Sequence, residues 1–252
     1  PAAVERALAA APADLVAVVH AETSTGVLNP VQAIAQIAER ANALTVVDAV
    51  TSFAAMPLET GAWGIDICYS CSQKGLGAPS RMAPLSFSAR ALAKKVKARS
   101  FYLDLALLED YWVRRKYHHT ISAPLVYAVR EALTVVEEEG RELRWARHER
   151  NHRALAAGLE ALGLSLLPPA GERLWTLNAV KVPEGVDEAA VRRRLLDEFS
   201  LEIGAGLGPL AGLSGHADSS CARSVARTLA GSNAAWRRSC PARTRARRAS
   251  SV

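Results

Sequence analysis

Between residues 14 and 50 two short apolar runs, DLVAVVH (14–20) and LTVVDAV (44–50), flank the segment PVQAIAQIAERANA, with the polar loop AETSTGVLN between the first run and Pro30. The flanked segment repeats its apolar residues at helical spacing, and Pro30 is placed to be its first helical residue. A strand, a crossover helix and a second strand of this kind pair in parallel. Strands covered on both faces lose the polar alternation of an exposed sheet, which is how these runs read. GIDICYS (64–70) and APLSFS (83–88) supply a third and a fourth strand, bounded by Gly, Pro and Ser. The pattern predicts an α/β chain built on a mostly parallel sheet.

From about residue 121 the texture changes. APLVYAVREALTVVEEEG and RELRWARHERNHRALAAGLEALG predict two long helices, each closing at a glycine suited to a C-cap. LSLLPP, TLNAVKVP, DEAAVRRRLLDEF and LEIGAG then read as strand, strand, helix, strand, a small α+β domain. The boundary falls near Gly140, which divides the chain into a large domain over 1–140 and a small domain over 141–212.

After Leu213 the period dissolves, and residues 213–252 read as a disordered tail. The net charge of +6 is a product of that tail, which holds eight Arg, no Lys and one Asp, and leaves residues 1–212 at −1. A basic tail is the one feature that argues for nucleic acid; the body, being near neutral, does not. The bland reading of the tail, with no evolved binding role, is preferred.

No window approaches the roughly 18 consecutive apolar residues of a membrane span. The opening PAAVERALAAAPADLVAVV lacks the layout of a secretory signal, and the chain does not begin with Met, so a piece of a longer or processed protein is expected. Four cysteines without framework spacing predict a reducing compartment, the cytoplasm.

Two residues carry the chemistry. Lys74 follows the strand GIDICYS and precedes the turn GLGAP; a lysine desolvated there is a nucleophilic amine. Asp48 closes the strand LTVVDAV. In an open α/β sheet ligands collect at the carboxyl ends of the strands, so the two side chains are expected in one crevice. A lysine for a Schiff base and an acid for a ring nitrogen are what pyridoxal phosphate asks of a protein. Taken singly, each residue reads as an ordinary strand-end side chain.

HAETSTGVLNP, VVDAVTSFAAMPL, GIDICYSCSQKGLGAP, SFYLDL and YHHTISAPLVYAVREAL occur in an order and at a spacing that resembles the class V aminotransferases. The likeness spans roughly residues 10–210 and is strongest to the alanine–glyoxylate and serine–pyruvate branch. The resemblance implies a type I pyridoxal-phosphate fold and a homodimer with shared active sites. It implies that Lys74 binds the cofactor covalently and serves as the base, that Asp48 pairs with the pyridine nitrogen, and that Val50 lies against the ring. It further implies that Thr23 donates to the ring hydroxyl and Gln73 holds the phosphate. Tyr117 and Thr120 would reach the phosphate in the partner subunit. The substrates implied are an amino acid, alanine or serine, and glyoxylate or pyruvate.

The chain departs from the family pattern at both ends. The glycine-rich phosphate loop and the ring-stacking aromatic residue precede its first residue, and LSGHADSS replaces the strand that carries the carboxylate-binding arginine. A shifted reading frame near residue 212 would produce such a tail. Weak or absent activity of the chain alone is therefore expected. A cysteine desulfurase is the alternative within the same fold, disfavoured because SQK stands where desulfurases place a His beside the lysine; a non-enzymatic remnant with a nucleic-acid tail is the other. Cys68 and Cys71 are declined as a metal or redox pair, because positions three apart on a strand face opposite sides. GAGLGP is declined as a dinucleotide loop, lacking the third glycine spacing and a following helix. His118 and His119 are declined as a shared metal site on the expectation that adjacent side chains diverge.

Overall fold

The computed structural model describes residues 1–206 and 208–218. After helix α1 (Ala2–Ala10), strand β1 (Leu15–Val19) enters the main sheet. The polar loop that follows forms a small hairpin, β2 (Ala21–Glu22) and β3 (Val27–Leu28), closed by Gly26 at φ +74. Helix α2 (Val31–Arg40) crosses over to β4 (Leu44–Asp48), and β5 (Ile67–Tyr69) and β6 (Leu85–Phe87) follow.

The sheet order is β1-β4-β5-β6, with β1, β4 and β5 parallel and β6 antiparallel to β5. Val19, Asp48 and Tyr69 lie in one row of the register, so the three parallel strands end level with one another. The four-strand reading therefore holds, with the last strand reversed. Pro30 caps α2 from just outside it.

Helix α2 packs Val31 and Ala35 onto Val47, Ala49, Ile65 and Cys68, with Val18, Phe53, Leu58 and Trp63 around them. Ala35 and Ala38 are fully buried, and their small side chains let the helix lie close to the sheet. Burying a side chain such as Val47 stabilises the fold by about 1.5–3 kcal/mol. Asp66, just before β5, is buried and accepts from the Thr45 amide, the Ser88 hydroxyl and the Arg90 guanidinium. Burial pushes its pKa up, but these hydrogen bonds and the Arg90 charge outweigh it and hold the carboxyl below its usual range.

Helices α3 (Ala89–Ala93) and α4 (Leu105–Arg114) fill the stretch up to the long pair α5 (Ala123–Glu139) and α6 (Arg141–Ala161), which meet at Gly140 with φ +80. Helix α5 has no buried residue. The buried face of α6 is apolar only in its C-terminal half, at Leu155, Ala156 and Leu159, which pack on Leu166. In the N-terminal half it is polar, with Arg144, His148, Asn151 and His152 buried.

The small sheet is ordered β7-β9-β8, from β7 (Leu177–Lys181), β8 (Gly204–Ala205) and β9 (Ser214–Asp218), with α7 (Glu188–Phe199) between β7 and β8. Instead of dissolving after Leu213, the chain forms the central strand of this sheet over Ser214–Asp218, antiparallel to both neighbours. The small residues Ser214 and Gly215 suit that central place, and Gly206 must be glycine because a Cβ there would lie 2.1 Å from the Leu210 oxygen. The disorder expected of residues 219–252, and the nucleic-acid role disfavoured for them, lie outside the described residues.

The two halves share a core: Ala21 and Met56 pack with Leu174, and the Leu174 amide donates to the Gly26 oxygen at 3.0 Å. No helix among the described residues is long and apolar enough to cross a membrane.

Candidate active site

The level ends of β4 and β5 set up the site. The Asp48 carboxylate, half-buried at the end of β4, is oriented by two donors: the Val50 amide reaches one oxygen at 2.8 Å and the Tyr69 hydroxyl the other at 2.9 Å. Ser70 donates to the Ala49 carbonyl at 3.0 Å, which ties the turn after β5 to the turn after β4.

Beyond β5 the chain folds into a tight turn. The Ser72 hydroxyl donates to the Pro79 carbonyl at 2.5 Å, the Ala78 amide to the Ser72 carbonyl at 2.9 Å, and the Gly77 amide to the Lys74 carbonyl at 2.9 Å. Gly77, at φ +78, takes the left-handed conformation that closes it. Gly75 is required for another reason: a Cβ there would lie 2.4 Å from the Phe53 oxygen and 2.8 Å from the Ala55 Cβ. The lysine-bearing turn therefore rests directly on the turn that follows β4.

A cavity of about 460 Å³ opens beside this turn, within the range of small-molecule sites. Gln73 and Lys74 line it from the turn, Thr23 and Thr51 from the segments after β1 and β4, and Arg144, Arg147 and His148 from α6; Thr176 and Leu177 complete the wall. Thr23 and Thr51 share a hydroxyl–hydroxyl hydrogen bond of 2.5 Å. No carboxylate is among the lining residues, so the wall is cationic.

The expected residues divide into three groups. Lys74, Gln73 and Thr23 line the cavity together. Asp48 and Val50 sit at the strand end without being part of the wall. Tyr117 and Thr120 lie outside, hydrogen-bonded to each other through their hydroxyls at 2.9 Å, with Tyr117 78% exposed. The desolvated lysine is a correction: Gln73 and Lys74 are exposed, between the buried Ser72 and Leu76, because the turn carries them off the sheet.

Arg144, Arg147 and His148 were missed. Their spacing of three and four places them on one helical face, and a polar face at that spacing was the available signal. Arg144 and Arg147 both bind Glu139 at the end of α5, and the hydrogen bond from Arg147 and then the one from Arg144 bring the Glu139 pKa down to about 2 against the opposing effect of burial.

Cys68 is a buried free thiol whose pKa is pushed up to about 11 by burial and then by the Asp48 charge, and Cys71 is free. His118 and His119 do not diverge: their Nδ1 atoms stand 2.8 Å apart, because the His118 Nε2 is drawn to the Phe101 carbonyl at 2.9 Å. No group of three or more metal-binding side chains occurs among the described residues.

A family model described as "Aminotransferase class-V" matches residues 2–213. The chain is 38% identical over 221 residues to (S)-ureidoglycine–glyoxylate transaminase of Bacillus subtilis, covering 79% of this chain and 53% of that one. It is 38% identical over 218 residues to alanine–glyoxylate aminotransferase of Callithrix jacchus, covering 83% and 53%. The crystal structure of an alanine–glyoxylate aminotransferase from Nostoc sp. superposes with a TM-score of 0.87 at 40% identity, over 92% of this chain and 64% of that one. The chain spans about half the length of the curated relatives it matches. Its fold is that of the type I pyridoxal-phosphate aminotransferases over this partial length. With strand ends, turn and cavity of one architecture, and a match along nearly all its described residues, the chain belongs to the class V aminotransferases.

Proposed function

We propose that this chain is the cofactor-binding middle of a pyridoxal-phosphate aminotransferase that passes an amino group from alanine or serine to glyoxylate or pyruvate. The observation that carries the reading is the cationic cavity bearing Lys74 beside the level ends of β4 and β5. Its donor set fits the cofactor. An amine is present for an aldehyde; hydroxyls and an amide, from Thr23, Thr51, Thr176 and Gln73, suit ring and phosphate oxygens; and no carboxylate in the wall repels the phosphate.

Bound there, pyridoxal phosphate supplies an electron-poor ring that takes up the electron pair left when the substrate's α-carbon loses a proton. Lys74 would hold the cofactor, and its Nζ would take that proton and return it. Asp48, held by the Val50 amide and the Tyr69 hydroxyl, would accept from the ring nitrogen and keep it protonated. Val50 would face the ring, Thr23 would donate to the ring hydroxyl, and Gln73 would bind the phosphate. A second copy of the chain completes the site with Tyr117 and Thr120, and the exposed Phe101, Tyr102, Trp112 and Tyr117 are the surface that suits it. A division near Gly140 and a cytoplasmic location belong to the same reading.

The test is reconstitution of the full chain with micromolar pyridoxal phosphate, followed by borohydride reduction and peptide mass analysis. The cofactor is expected on Lys74 and absent in Lys74→Ala, with at most weak transamination from alanine or serine to glyoxylate or pyruvate in the loaded chain. Equal labelling of Lys74→Ala, or labelling at other lysines only, refutes the assignment.

A further inference from the structure

Arg144 is buried at the start of α6, and its guanidinium reaches two carbonyls distant in sequence as well as the nearby Glu139 carboxylate. Its Nε donates to the Ala54 carbonyl at 2.9 Å, one terminal nitrogen to the Gly75 carbonyl at 2.8 Å, and the other to the Glu139 carboxylate at 2.8 Å. Ala54 belongs to the turn after β4 and has φ +63, a conformation an alanine seldom adopts unaided. Gly75 follows Lys74 directly. One planar guanidinium therefore bridges the turn after the Asp48 strand, the turn that carries Lys74, and the end of α5.

We infer that Arg144 is a positioning residue that sets where Lys74 stands relative to the carboxyl edge of the sheet, acting through the Gly75 and Ala54 carbonyls. The inference rests on the reading of Lys74 as the cofactor-binding lysine for its meaning, although the clamp itself is a property of the chain without cofactor. The Gly75 contact with Phe53 and Ala55 fixes how close the two turns lie, and the guanidinium fixes their lateral position. A flat fork with five donors can serve three acceptors in different directions, which a lysine ammonium on a flexible stem does not reproduce. Without Arg144 the two carbonyls lose their partner in a half-buried setting, while Glu139 keeps Arg147. The consequence is a loosened lysine turn with α5 and α6 still paired.

The experiment is residue-resolved amide hydrogen exchange on the full chain without cofactor. In the unaltered chain the amides of Gly77 and Ala78 are expected to exchange at the rate of α6 rather than at that of the loop 99–104; exchange at the loop's rate overturns the inference with no variant needed. In Arg144→Lys and Arg144→Ala, exchange over 72–78 and 52–56 is expected to rise on the order of tenfold, with β7 and α7 unchanged. A uniform rise over the whole chain, or none at 72–78, overturns it. Low millimolar ethylguanidinium is expected to restore protection in Arg144→Ala; further loss of protection points to general destabilisation and overturns it. Arg153→Ala, which removes the exposed pair with Glu149, is the control expected to change nothing. Pyridoxal phosphate binding is measured alongside and is expected to weaken in Arg144→Lys. An unaltered chain that takes up no cofactor sinks the proposed function, while the exchange data still decide the clamp.

Discussion

Gly75→Ala isolates the contact between the two turns. Gly75 does not have a positive φ, so alanine meets no backbone penalty there, and replacing glycine ordinarily stabilises by about 0.4–1 kcal/mol through the unfolded chain. Against this, the new Cβ would stand 2.4 Å from the Phe53 oxygen and 2.8 Å from the Ala55 Cβ. Relaxed contacts begin near 3.5 Å, so one turn must retreat by about an ångström. Neither neighbour is the end of a flexible side chain, and such overpacking costs about 1–3 kcal/mol. The balance is a loss of about 1–2 kcal/mol, and each kcal/mol lowers the melting temperature of a chain this long by about 2–4 °C. Two other glycines calibrate the measurement by thermal and urea unfolding. Gly61→Ala meets open space at an ordinary φ and is expected to be neutral or slightly stabilising. Gly77→Ala also meets open space, but its φ of +78 exposes it to about 1–2 kcal/mol of strain. A Gly75→Ala chain as stable as Gly61→Ala would refute the close seating of the lysine turn on residues 53–55.

The charged contacts give two further tests. Glu139, lowered by Arg147 and Arg144 to a pKa of about 2 from 4.5, contributes stability that is complete above pH 4.5 and lost as the pH falls toward 2; the gap in urea midpoint between the unaltered chain and Glu139→Gln is expected to close over that window, and a gap constant across it refutes the pairing. His20 is buried, its Nδ1 2.9 Å from the Ser52 hydroxyl, and burial lowers its pKa from 6.5 to about 4. Because the unfolded chain binds that proton more readily, the stability from keeping His20 neutral is complete above 6.5 and is lost between 6.5 and 4. An NMR titration should show no His20 protonation above about pH 5, and a midpoint near 6.5 contradicts the buried neutral ring.

The sheet was legible because strand runs dense in Val and Ile and a helix-period crossover have few alternatives; the mirror image of that strength is the N-terminal half of α6. There the apolar period gives way to Arg144, Arg147 and His148, and a polar run at helical spacing reads as a solvated face until something packs against it. The strand Ser214–Asp218 was missed likewise: Ser, Gly and His carry little strand propensity of their own, and pairing with β7 and β8 on either side supplies the order.

Lys74 and Asp48 mark the division. That Asp48 ends one strand and Lys74 follows its parallel neighbour on the same edge follows from chain order, since parallel strands bring their carboxyl ends to one edge whatever the side chains are. What Lys74 experiences does not follow. It is exposed because the turn leaves the sheet after Ser72, and it faces a cationic wall because α6, seventy residues away, reaches across to hold Gly75. Local patterning determines elements and their order through short-range sterics and burial; the surroundings of a reactive group depend on long-range contacts that only the packed chain decides.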